Sequence, residues 1–142
     1  MTALSPEPVQ VAPLDAWRLA ENFAAGRTDC EVVIGRGDSM LPLYRDRTVL
    51  VLERMDLCTL RAGMTVVFIG DSGRPVAHTL VEKTARGWRA AGVASRQRDQ
   101  TFIQSRNYIG TVVRAYTPNA AIPSVTTPRY AAETSSAGVG DQ

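Results

Sequence analysis

The longest apolar runs in this chain are only strand-sized. Val49-Leu50-Val51-Leu52 and Val66-Val67-Phe68-Ile69 each stop at charge or glycine, and no stretch sustains a long helical period. Such runs, punctuated by Gly35, Gly37, Gly63, Gly70, Gly73 and Gly87, predict short strands joined by turns. Strands are expected over 30–34, 48–53, 65–69, 76–83, 87–91 and 108–113. One short helix is expected near the start, where Pro13 and Asp15 are start signals and Gly26 a stop. Trp17, Ala20, Phe23 and Ala24 fall there at three- and four-residue spacing. The fold class that follows is mainly β, a folded-over sheet with one short N-terminal helix.

The two ends read differently. Residues 1–12 mix proline with small and polar residues and are expected to form a flexible arm. Residues 117–142 hold three prolines and many Ser, Thr, Ala and Gly, a composition too poor in apolar surface to offset its ordering entropy. A disordered tail is expected there, which leaves 13–116 as the folded unit. No run approaches the ~20 apolar residues of a membrane span. The first basic residue is Arg18 and no apolar core precedes it, so no secretory signal is expected and the reading is cytoplasmic.

Composition narrows the chemistry. Cys30 and Cys58 are too few for a disulfide framework, and with the single histidine His78 they cannot build a zinc cage. No metal and no cofactor is expected. Fifteen of the sixteen basic residues are arginine and one is Lys83, for a net charge of only +2. Residues 84–106 gather Arg86, Arg89, Arg96, Arg98 and Arg106 against Asp99 alone. A run of that size reads as a solvated face rather than as a nucleic-acid surface.

The sharpest local feature is Gly37-Asp38-Ser39-Met40-Leu41-Pro42. It presents a serine hydroxyl at a loop edge just after a strand. Such a hydroxyl becomes a nucleophile when an adjacent base takes its proton. Backbone N–H groups around the turn can then stabilise an oxyanion; Asp38, Met40 and Pro42 are the substrate-binding or oxyanion candidates. The bland reading is a turn hydrogen bond.

Ser39-Met40-Leu41-Pro42 resembles the Ser-Met-x-Pro box of the type I signal peptidases and their soluble relatives, the SOS-repressor-type autopeptidases. The likeness runs from Ile34 to Ala115. Tyr44-Arg45-Asp46 through Val51 and Leu60-Arg61-Ala62-Gly63 through Phe68 are similar to the family's next two strands. Val76-Ala77-His78 resembles the histidine strand of the archaeal and endoplasmic-reticulum signal peptidases. Ile109-Gly110-Thr111-Val112-Val113 is similar to the closing strand. The resemblance implies the signal peptidase-type sheet and a serine endopeptidase with Ser39 as nucleophile and His78 as base. It also implies an extended peptide or protein substrate, cut after small residues. Three departures stand out: Thr79 where arginine is usual, Met64 in place of a turn aspartate, and Val93 in place of another. Asp99 is the carboxylate expected to orient His78, with Asp38 as a second candidate.

Two bases compete. An imidazole is largely neutral at pH 7 without tuning, whereas a lysine base needs burial to lower its pKa. His78 and Lys83 share one expected strand on opposite faces, so an unbulged strand presents only one of them to Ser39. His78 is favoured. A histidine base predicts activity rising through about pH 6 to 7, and a lysine base activity confined to alkaline solution.

The leading expectation is therefore a dedicated maturation or self-processing peptidase. Ser135 and Ala137 place small residues at both expected pocket positions in the tail. The alternative readings are an inactive peptidase fold serving as an interaction or regulatory module, and a binding protein of repressor lineage.

Overall fold

The computed structural model describes residues 4–94 and 98–119. Among these residues there are one α-helix, α1 (Ala16–Ala24), a 3-10 turn at Leu57–Thr59, and seven strands: β1 (Val9–Val11), β2 (Cys30–Ile34), β3 (Val49–Glu53), β4 (Thr65–Ile69), β5 (Pro75–Thr84), β6 (Gly87–Ala91) and β7 (Tyr108–Pro118). The class is mainly β. The sheet runs β2-β3-β7-β4-β5-β6, every neighbour antiparallel, and β1 lies parallel to the end of β7. The six strands expected from sequence are all present, several at the same residues.

β7 is the joint of the molecule. β3 and β4 do not pair with each other; each pairs with β7. The β2–β3 hairpin thus forms one half of the sheet and the β4–β5–β6 meander the other. Register shifts at Val51/Leu52 and Val67/Phe68 let the two halves curl about this centre. β3 and β4 are continuous apolar runs because both of their faces are covered.

Three packed clusters follow from that layout. Leu60, Val66, Phe68, Leu80, Trp88, Ala90, Ile103 and Tyr108 fill the β4–β6 half. Met40, Tyr44, Leu50, Leu52, Val67, Val112 and Ala115 lie under the loop that carries Ser39. The third seats α1 through Ala16 and Ala20 on Val49, Val51 and Tyr116. Trp17, expected on the buried stripe, is 42% exposed, and Ala16 takes the inner position one residue earlier.

Both ends of the expected domain are corrected. Within the arm expected over residues 1–12, Ser5 is buried and Val9–Val11 is a strand, paired Val9 to Tyr116, Gln10 to Thr117 and Val11 to Pro118. Thr117, expected to open the tail, is instead buried, and its hydroxyl lies 2.8 Å from that of Thr48. Backbone pairing and paired hydroxyls allow these polar segments to be buried. Ser135 and Ala137, the expected self-processing positions, lie outside the described residues.

Candidate active site

Ser39 sits on the loop between β2 and β3. Gly37 takes φ +89°, a left-handed conformation that favours glycine, and its N–H donates to Asp46 Oδ1 at 2.8 Å. Asp38 accepts from the Leu41 N–H at 3.1 Å, and Met40 accepts from the Tyr44 N–H at 2.9 Å. The Leu41–Pro42 peptide is cis. The loop is pinned from below by Met40 and Tyr44, both buried in the second cluster, while the Ser39 side chain stays exposed.

His78 lies on β5, opposite Val66, with its ring edge-on to Phe68 at 6.4 Å between centroids. Its Nδ1 is 2.6 Å from Asp99 Oδ2. An ionised carboxylate only accepts, so the proton of this bond sits on Nδ1 and a neutral ring carries its lone pair on Nε2. Asp99 is itself held to β6: its N–H donates to Ala90 O at 2.8 Å, and its carbonyl accepts from the Arg89 guanidinium at 3.1 Å.

Serine and imidazole converge at Gly92, just past β6. A methyl group built on Gly92 would lie 2.8 Å from the Ser39 carbonyl oxygen, 3.4 Å from Ser39 Cβ and 3.2 Å from His78 Nε2. Both groups therefore flank one point. The Ser39 carbonyl also accepts from the Ala94 N–H at 2.9 Å, which ties the Ser39 loop to the segment after β6. Among the described residues the serine hydroxyl has no hydrogen-bond partner.

A groove of about 1130 Å³ opens over this point, and Gly37, Ser39, Met40, His78, Asp99 and the outer strand β2 are among its walls. Of the residues singled out from sequence, Ser39, Met40, His78 and Asp99 line it. Asp38 and Pro42 are exposed on the loop and are not among the lining residues. Asp38 acts as a turn residue and is not the partner of His78. Met64 and Val93, at two of the three departures, pack against the first and second clusters respectively.

Lys83 is exposed near the far end of β5, opposite Trp88. The register shift between Leu80 and Glu82 does bulge the strand, yet Lys83 is not among the groove residues. The arginine-rich stretch is largely engaged within the chain. Arg86 and Arg89 lie over the Phe102 ring at 5.6 and 5.0 Å, and Arg98 pairs with Glu82 at 2.6 Å. Among the described residues no three His, Cys, Asp or Glu side chains are grouped to hold a metal ion, and no helix is long and apolar enough to cross a membrane.

No protein family, curated protein or solved structure matches the chain. Sequence reasoning missed three participants. Gly92 drew notice only through its neighbour Val93, although its bare Cα is what lets Ser39 and His78 approach. Tyr44 and Ser5 carried no local signal, because their partners are 38 and 58 or more residues away.

Proposed function

We propose that the chain is a serine endopeptidase in which Ser39 attacks a peptide carbonyl, His78 takes the serine proton and Asp99 holds the imidazole. The observation that carries this reading is the 2.6 Å His78–Asp99 bond, together with an Nε2 that shares the space over Gly92 with Ser39. The imidazole then returns its proton to the leaving amine, and a water molecule hydrolyses the acyl-serine by the same route. The Ser39 and Met40 N–H groups make no hydrogen bond to other described residues, and they are the donors assigned to the oxyanion.

The substrate assigned is an extended peptide. Among the described residues β2 is an edge strand with one unpaired side, and Glu31, Val33 and Ile34 on it line the groove, so a peptide can add there by main-chain hydrogen bonds. The resemblance of the Ser39 and His78 motifs to the signal peptidases favours small residues before the cut, in a maturation or self-processing role.

The test is cleavage of a peptide library by the wild type and by Ser39→Ala. Cleavage after small residues, lowered at least about a thousandfold in the variant, is expected. Equal turnover by both proteins, or none by either, would overturn the reading.

A further inference from the structure

We infer that residues 4–11 are a brace that sets the spacing between nucleophile and base, with Ser5 and Tyr44 as its positioning residues. The inference rests on the peptidase reading for its kinetic consequence but not for its structural one. Ser39 belongs to the β2–β3 half of the sheet and His78 to the β4–β6 half. Pro6 and Ser5, adjacent in the chain, each grip one of those halves.

On the nucleophile side, the Tyr44 hydroxyl donates to the Pro6 carbonyl at 2.6 Å. Tyr44 is 3% exposed, five residues past Ser39, and its own N–H closes the loop onto Met40. On the base side, Ser5 Oγ donates to Gly63 O at 2.6 Å and lies 2.6 Å from Thr65 Oγ1, which is 3.2 Å from Thr79 Oγ1. A hydroxyl has one proton to give. With that of Ser5 spent on Gly63, Thr65 donates to Ser5 and Thr79 donates to Thr65. The chain of hydroxyls therefore has one direction and ends on the residue after His78. Thr79 is also the position that departs from the resembling family's arginine, and this line is its role here.

The rest of the segment fixes the brace at both ends. The Leu4 side chain packs over Gly63, where an added Cβ would meet it at 3.4 Å, and Val9–Val11 pair with β7. Ser5 and Thr65 are 6% and 0% exposed, so these bonds do not compete with bulk water.

The experiment compares full-length wild type, Tyr44→Phe, Ser5→Ala and Ser5→Thr under conditions where each is shown to be folded. Amide hydrogen exchange is read at Leu41 and Tyr44, on the loop, and at Val66 to Phe68, in β4. Peptide turnover is read as kcat, KM and pH profile. In Tyr44→Phe and Ser5→Ala, loop exchange is expected to rise about tenfold with β4 unchanged. In both, kcat should fall about tenfold, with KM within about twofold and the acid limb of the pH profile unmoved. Ser5→Thr, which keeps the hydroxyl, should restore kcat; should Ser5→Ala not fold, Tyr44→Phe decides. Unchanged loop exchange and kcat would overturn the brace, as would faster exchange spread evenly over the sheet. A wild type that cleaves nothing would end the peptidase reading alone, because loop exchange still decides the brace.

Discussion

At position 92 the side chain is a single hydrogen atom, and the approach of Ser39 to His78 depends on it. In Gly92→Ala the new methyl would stand 2.8 Å from the Ser39 carbonyl oxygen, so the loop or the strand must shift. Overpacking of this kind costs about 1–3 kcal/mol. A lower thermal midpoint with cleavage lost well beyond the loss of folded protein is expected, read by melting and turnover on one sample. His78→Ala should remove cleavage and Lys83→Ala should leave most of it; the opposite pattern would transfer the base to Lys83. Tyr44 adds a stability test. Burial pushes its hydroxyl pKa up from the ordinary 10.0, whereas the unfolded chain ionises it near that value. The folded state then binds more protons above about pH 10, so stability present below that pH is lost as pH rises. Urea midpoints at pH 9 and pH 11 should fall further in the wild type than in Tyr44→Phe.

At the scale of the element, what local pattern could reveal was strands and what it hid was partners. The apolar runs of β3 and β4 and the turn glycines around them place the meander closely, because each signal lies inside one strand. His78 and Asp99 were readable as chemistry-bearing residues in a chain with one histidine. Their 2.6 Å contact needed the β6 edge, where Ala91 bridges Arg98 and brings Asp99 back to the sheet. Val9–Val11 is three residues between prolines and has no pattern of its own; its strand character comes from β7, more than 100 residues on. The pairing of Thr117 with Thr48 escaped for the same reason, each polar alone and satisfied as a pair. The turn between β5 and β6 offers a check on the meander. Gly87 has φ +127° and a Cβ there would lie 2.5 Å from the Ile103 carbonyl oxygen, a backbone atom that cannot swing away. Gly87→Ala should cost more stability than Gly73→Ala, whose site is open, by a urea-unfolding difference of at least about 1 kcal/mol.

Across the whole molecule, the two halves meet through β7 and through the brace, and the groove lies where their contributions face each other. β7 is the last strand among the described residues and the centre of the sheet. During synthesis, hairpin β2–β3 and the β4–β6 meander can each form early, but they have no common strand partner until residues 108–118 have emerged. Long-range closure of this sort is slow compared with hairpin formation. A ribosome-bound chain halted before Tyr108 should therefore hold Ser39 and His78 on two pieces with no shared strand between them, giving no cleavage and little protease resistance. The order in which the strands are encoded would keep the proposed protein-cutting site unassembled while the chain is still being made.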